Sequence, residues 1–434
     1  MKSFFESKKI AVIGAARERE KVGNVVFRNL LKNELKVFPV NPNADYIEGQ
    51  KAFPDVLGIP YPVDMAVVAV PASIVPGVLE QCGKKDIRNV IIISAGFNES
   101  GNLELTEKVK KITEKYKIKL IGPNVLGILN PYKNMNASFF QGMPEKGNVG
   151  FISQSGAVGT SILDKCLEEN LGISGFVSLG NMLGLDFLDA LDYFGNDIRT
   201  EVIALYIESL KQETGKDFVE KCKKIGINKK IIAIKAGKTA KGQEAAKTHT
   251  ASMSSDSKIY SGAFKQAGII EVNSLEEMFK LAEIFSKHGK LGKKACIITN
   301  AGGLGVLATD ALSKAGILLP DIPEVVLREL DKFVPKGYSR RNSLDILGDA
   351  LAERYDKTLR ILNMYKLFDF FVVILSPQEM TQPIETAEVL SKYKNVFTCY
   401  IGGKSFLEAR KLLKEKGVIS FEDVSELEIF GKAV

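Results

Sequence analysis

Tryptophan is absent from the 434 residues, and only two histidines and five cysteines are present. The cysteines (Cys82, Cys166, Cys222, Cys296 and Cys399) stand far apart, with no C-x-x-C pair and no neighbouring histidine. That distribution argues against both a zinc site and a disulfide framework. No run of about 18 apolar residues exists, so no membrane span is expected. The opening stretch Met1-Lys-Ser-Phe-Phe-Glu-Ser-Lys-Lys9 passes directly into a strand-like run, without the apolar region and cleavage site of a signal peptide. A cytoplasmic location follows as the expectation. Basic residues are not gathered into a stripe interleaved with aromatics, so nucleic acid is not an expected partner.

What is there is the composition of a globular chain: 45% hydrophobic and 26% charged residues, with a formal net charge of +7. The excess is carried by lysines, 48 against 11 arginines, scattered singly over what read as solvated helix faces. A modest positive balance suits polyanionic small molecules. The length exceeds one ordinary core and predicts three domains, at 1–130, 131–288 and 289–434.

Short β-branched runs alternate with amphipathic stretches of helical length throughout, the pattern of parallel sheets covered on both faces. Strands are expected near 10–13, 36–40, 65–70, 89–94 and 119–121, making the first segment a Rossmann-like βαβ domain. A second series is expected at 149–153, 175–178, 200–207 and 230–235, and a third at 295–299, 370–375 and 395–400. The second and third segments both open with a strand, Ser or Asn plus glycines, and a helix, which suggests two copies of one α/β unit.

The strand ends carry the chemistry. The first runs into Gly14-Ala15-Ala16-Arg17, with a helix expected from near Val22, preceded by Lys21 and followed by Gly23. A glycine here lets the chain turn tightly against a phosphate, and the helix N-terminus offers free N–H groups to it. The run is not G-x-G-x-x-G, which weakens a dinucleotide reading, and alone it suits a ligand loop or a mere tight turn equally. The neighbouring strand ends are also small and polar: Asn41-Pro42, Val70-Pro71, Ser94-Ala95-Gly96-Phe97 and the stretch before Asn124. Ligands of open parallel sheets bind outside such carboxyl ends. Two further turns, Ser153-Gln154-Ser155-Gly156-Ala157 and Asn300-Ala301-Gly302-Gly303, each place backbone donors and a helix dipole where an anion can sit.

His249 lies in Thr248-His-Thr-Ala-Ser252, inside a run of small polar residues with no hydrophobic period, just after an apolar strand-like run. It reads as a side chain displayed on a loop, where binding and catalytic groups concentrate. His288, before a lysine-rich connection, reads as a helix-end cation or an exposed residue. Glu208 ends the apolar run Ala204-Leu-Tyr-Ile and is either an exposed strand-end carboxylate or a site residue.

The first segment resembles the CoA-binding domain shared by succinyl-CoA synthetases and NDP-forming acyl-CoA synthetases, with Ala16 and Arg19 where the family often has Ser and Pro. Over nearly the whole chain, Ser153-Gln-Ser-Gly-Ala157 resembles the helix facing the phosphohistidine in the family's α subunits. Asn300-Ala-Gly-Gly-Leu-Gly305 resembles its counterpart, and Asn342-Ser-Leu-Asp-Ile-Leu-Gly348 the Asn-x-x-Asp-x-x-Gly element downstream, with Ser343 where Pro is usual. The resemblance implies a Rossmann-like CoA-binding domain followed by two flavodoxin-like domains. It also implies an α subunit of an ADP-forming acyl-CoA synthetase that lacks its ATP-grasp partner. His249 is then the phosphorylated histidine, on a loop whose small residues suit a swinging segment. Glu208 is the acceptor that orients its imidazole. CoA, ADP or ATP with Mg²⁺ on the partner, and a covalent phosphate are the implied cofactors, in an α₂β₂ assembly. Two other readings stay open: a CoA- or acyl-CoA-sensing protein without turnover, and a nicotinamide oxidoreductase using the first domain.

Overall fold

The computed structural model describes residues 1–32, 35–242, 244 and 257–434. His249 and most of its loop lie outside the described residues. The chain forms two compact units, Met1–Met278 and Phe279–Val434, divided within the helix Leu275–His288. Each is α/β.

The first unit contains two main sheets. Strands β1 (Lys9–Ile13), β2 (Lys36–Val40), β5 (Met65–Val68), β6 (Asn89–Ile92) and β7 (Lys119–Ile121) form a wholly parallel sheet in the order β2-β1-β5-β6-β7. Their apolar runs are buried on both faces, as crossover helices require; Ile10, Val12, Met65 and Val67 are fully buried. A small hairpin, β3 (Tyr46–Ile47) and β4 (Gln50–Lys51), follows β2. Because β1 is flanked by β2 on one side and β5 on the other, the connections diverge there, leaving a crevice at the carboxyl ends. The expected strands at 65–70 and 89–94 end at Val68 and Ile92, and Val70 and Ser94 belong to the turns that build this crevice.

The second sheet comprises β8 (Gly127–Asn130), β9 (Met135–Ser138), β10 (Lys146–Ser153), β11 (Ile173–Ser178), β12 (Val202–Ile207), β13 (Lys230–Lys235) and β14 (Ile270–Val272). Its order is β14-β13-β12-β10-β11-β8-β9. This sheet is not uniformly parallel, as had been expected: β8 runs antiparallel to β11, and β9 antiparallel to β8. The two strands are four residues each and joined through Pro131 and Asn134, so they carry no periodic signal and fall where the sequence suggests only a connection. Asn29, on the helix Val22–Leu31, ties the first sheet to this edge by donating its side-chain amide to the carbonyls of Ser138 (2.9 Å) and Phe140 (2.8 Å).

The second unit is built on a parallel sheet of β15 (Ala295–Thr299), β16 (Leu344–Asp345), β17 (Phe370–Leu375), β18 (Val396–Tyr400) and β19 (Ser420–Phe421), ordered β16-β15-β17-β18-β19. Tyr355, Phe371, Val373 and Tyr400 lie at its core. Asn342 clamps the start of the Asn-x-x-Asp-x-x-Gly element. Its Oδ1 accepts from the Ile297 amide (3.0 Å), and its Nδ2 donates to the carbonyls of Ala295 (2.8 Å) and Pro320 (3.2 Å).

All five cysteines are buried free thiols. No helix among the described residues is long and apolar enough to cross a membrane.

Candidate active site

At the crevice of the first sheet, Gly14 takes φ +90° directly after β1, and a side chain there would put its Cβ 2.3 Å from the Ala69 carbonyl. Gly23, in the first turn of the following helix, is pressed closer still, since a Cβ there would lie 1.9 Å from the Gly14 carbonyl oxygen. Only glycines let this turn and helix N-terminus nest together. Asn41 braces the same turn, its Nδ2 donating to the Ala15 carbonyl (2.7 Å) and its Oδ1 accepting from the Asn43 amide (2.8 Å). Arg17 donates to the Asn43 carbonyl (2.9 Å), and Asn24 donates to the Ala16 carbonyl (2.8 Å) and to Glu48 (3.1 Å). Of the residues expected here, Arg17, Lys21, Val22, Pro42, Pro71 and Ala95 are exposed, and Gly14, Ala16, Asn41, Val70, Ser94, Gly96 and Asn124 half-buried. Ala15, Gly23 and Phe97 are buried.

Gly96 and Phe97 are engaged within the protein itself. Their amides do not point free at a ligand: both donate to the Glu99 carboxylate (2.6 and 3.2 Å), and the Phe97 ring lies in the core. Burial alone would raise the Glu99 pKa, but the Gly96 amide, then Asn181, then the Phe97 amide hold it below the usual carboxylate value. Asn181 donates to Glu99 (2.5 Å) and to Asn98 (2.7 Å), and Asn124 to Asn181 (3.5 Å), joining the first sheet's turns to the loop after β11. Ser94 is spent on the Val70 carbonyl (2.5 Å).

That loop opens onto a cavity of about 430 Å³ in the first unit. Gln154, Ser155, Gly156 and Ala157 line one side with Glu208, while Ile93, Val125 and Phe139 form an apolar wall and Asn124, Thr160, Gly180 and Asn181 complete it. Ser153 leaves β10 with its hydroxyl on the Ser155 carbonyl (2.7 Å), and Ser155 caps the helix Gly156–Glu168 by accepting from the Val158 amide (3.3 Å). The positive end of that helix therefore faces the cavity. Gln154 locks the next strand end in place: its Oε1 accepts from the amides of Glu208 and Ser209 (2.9 Å each), and its Nε2 donates to the Ser209 hydroxyl (3.1 Å). Glu208 is only 9% exposed, so it is no ordinary surface carboxylate. A helix N-terminus attracts an anion and a carboxylate attracts a cation. The two on one cavity can hold an anion and a cationic group side by side.

Sequence reasoning missed Lys235, the last residue of β13. Its side chain is buried (3% exposed), donating to the carbonyls of Glu208 (2.8 Å) and Ala236 (2.5 Å) with the ammonium 4.7 Å from the centroid of the Tyr260 ring. Burial pulls its pKa below the usual lysine value, against the attraction of Glu208. The Tyr260 hydroxyl accepts from the Leu210 amide (3.0 Å), and burial raises its pKa. Burial, with Glu208, also pushes Tyr206 up to about 12. The available signal was a lysine closing an otherwise apolar run at a carboxyl end.

The second unit repeats the arrangement. Thr299 donates to the Ala301 carbonyl (3.1 Å), as Ser153 does to Ser155. Asn300 accepts from the Ser376 amide (2.9 Å) beyond the neighbouring β17, as Gln154 does beyond β12. Gln378 braces the turn through the Asn300 carbonyl (3.2 Å). The helix Gly302–Lys314 then starts with Gly303 exposed and Gly302 against the Asp345 carboxylate, where a Cβ would come within 2.8 Å. This shared scheme of bracing is what the similar openings of the two segments encode.

Residues 8–131 match the CoA binding domain, residues 146–285 the succinyl-CoA ligase like flavodoxin domain, and residues 295–406 the ligase-CoA domain. The chain is 38% identical over 431 residues to the ADP-forming acetate–CoA ligase II subunit alpha of Pyrococcus furiosus, covering 96% of this chain and 94% of that one. The chain belongs to the ADP-forming acetate–CoA ligase family. To the ADP-forming acetate–CoA ligase I of Archaeoglobus fulgidus it is 39% identical over 98% of its own length, but it spans only 62% of that longer protein. Among solved structures, the dinucleotide-forming acetyl-coenzyme A synthetase 1 of Ca. Korarchaeum cryptofilum, in complex with phosphate and ADP, superposes with a TM-score of 0.93. The two are 35% identical over 98% of this chain and 94% of that one.

Proposed function

We propose that this chain is the α-type subunit of an ADP-forming acyl-CoA synthetase, interconverting acyl-CoA, ADP and phosphate with free acid, ATP and CoA. The observation that carries this reading is the 430 Å³ cavity on which the helix N-terminus at Gln154–Ala157 and the buried Glu208 converge, next to the turns of the CoA-binding sheet. CoA lies across Gly14, Lys21, Asn41, Val70 and Ser94, with the thioester end reaching Asn124. Three domains, at 1–130, 131–288 and 289–434, divide the work.

A phosphate oxygen attacks the acyl carbonyl, the C–S bond breaks, and CoA leaves as thiolate. The acyl phosphate is held by the amides at Gly156 and Ala157. A neutral His249 nitrogen attacks phosphorus, the bond to the carboxylate oxygen breaks, and free acid departs. Glu208 holds the proton on the other ring nitrogen and stabilises the cationic ring. The phosphorylated loop then presents the group to ADP, where the β-phosphate oxygen displaces the histidine to give ATP. That last step belongs to an ATP-grasp partner, which binds ADP with Mg²⁺, in an α₂β₂ assembly in the cytoplasm. Preorganised donors and positioning supply most of the acceleration.

The test is a pair of variants. His249→Ala abolishes ATP formation and leaves CoA affinity within about twofold of wild type, and Glu208→Gln slows phosphoryl transfer by on the order of tenfold or more. Turnover by His249→Ala overturns the reading, and CoA binding with no phosphorylation of the wild-type chain leaves a CoA-sensing protein in its place.

A further inference from the structure

Resting on the proposed phosphohistidine reading, we propose that Lys235 is a positioning residue for phosphoryl transfer: its ammonium pins the Glu208 strand end to the first residue of the His249 segment. Three observations meet at this side chain. It donates to the carbonyls of Glu208 (2.8 Å), at the end of β12, and of Ala236 (2.5 Å), at the exit of β13. It lies over the Tyr260 ring, 4.7 Å from the centroid, on the helix Ser257–Ala267 that resumes the chain beyond that segment. And it is 3% exposed.

A buried ammonium is costly unless its donors are used, and an apolar residue of the same length would fill the space more cheaply. Backbone hydrogen bonds alone already join these strands, since Ala236 donates to the Ile207 carbonyl (2.9 Å). The charge therefore adds something the sheet does not need. It draws the Glu208 and Ala236 carbonyls to one point, and the charge of Glu208 attracts its own. Gln154 holds the same strand end from the opposite side through the Glu208 and Ser209 amides. Glu208 is thus gripped through both its N–H and its C=O. That double grip fixes the backbone from which the Glu208 carboxylate projects.

The experiment is a double-mutant cycle on the full chain with its partner, using labelled phosphate and acetyl-CoA. Lys235→Met, similar in length but uncharged, is expected to lower the single-turnover rate of histidine labelling at least about tenfold with KM for acetyl-CoA within about twofold. In the Glu208→Gln background the same change is expected to cost less than about threefold, because both act through one carboxylate. Multiplicative losses in the double variant would show that Lys235 supports only the fold and would overturn the proposal. Lys235→Gln, which keeps two N–H donors on one uncharged nitrogen, serves as the second variant and is expected to fall between Met and wild type. If neither variant folds, the lysine is a structural residue and the proposal fails. If the wild-type chain takes no label, the phosphohistidine reading itself has failed, a result distinct from a labelled wild type with an additive cycle.

Discussion

Gln154 illustrates how one side chain is committed at the residue scale. Its amide oxygen accepts from the backbone N–H groups of Glu208 and Ser209, and its nitrogen donates to the Ser209 hydroxyl. Gln154→Ala removes three hydrogen bonds in a buried place, at about 0.5–1.5 kcal/mol each. We expect a stability loss of about 2–4 kcal/mol by urea unfolding, together with slower phosphoryl transfer as Glu208 loses its register. Gln154→Glu keeps the two acceptor contacts and should recover part of the stability. A Gln154→Ala chain as stable as wild type would contradict the bracing role. Much of this scale was legible in the sequence: Gly14, Ser155 and the strand-end Glu208 sit where turn chemistry and the carboxyl-end rule put them. Lys235 was not, because a lysine in sequence looks the same whether solvated or buried, and only the packing of Tyr260 distinguishes them. Nor was the capture of the Gly96 and Phe97 amides by Glu99, since short-range carboxylate capping depends on a turn geometry that composition does not specify.

At the scale of elements, long apolar runs declared themselves and short ones did not. β1, β2, β13, β15 and β17 stand within a residue of where hydrophobic patterning put them, because each is buried on both faces. The hairpin of β8 and β9 escaped, because two four-residue strands are too brief to carry a pattern of their own. Its attachment to the helix Val22–Leu31 depends on Asn29, whose amide reaches two carbonyls. Asn29→Leu removes both bonds, while the Phe140 carbonyl keeps its bond from Asn136 (3.1 Å), so a loss of about 1–2 kcal/mol is expected, measurable as a lower urea midpoint. An unchanged midpoint would mean that this edge is held by apolar contact alone. The parallel between Gln154 and Asn300, each reaching past its own strand to the next, shows two elements built to one plan from dissimilar residues.

The pH response of the whole molecule brings in the second histidine. His288 was expected as a helix-end cation or an exposed side chain. Instead its ring packs against Phe397, with centroids 4.8 Å apart, and burial, then Lys287, lowers its pKa below 6.5 against the pull of Glu283. A depressed folded-state pKa means that the unfolded chain binds the proton more tightly. The contribution of His288 is therefore complete above pH 6.5 and lost as pH falls through the lower folded value. His288→Phe keeps the ring contact without the titration. Its urea midpoint should decline less than wild type between neutral pH and pH 5, and equal declines would contradict this account. Over the whole chain, strands and helices alternate within each of the three matched segments. The proposed division of work with a nucleotide-binding partner is argued from family membership and from the cavity at Glu208. The most direct test is labelled-phosphate incorporation: the chain is incubated with phosphate and a panel of acyl-CoAs, with and without an ATP-grasp partner. The account predicts acid-labile label on His249, absent from His249→Ala and dependent on acyl-CoA. No label on the wild-type chain with the partner present would contradict it.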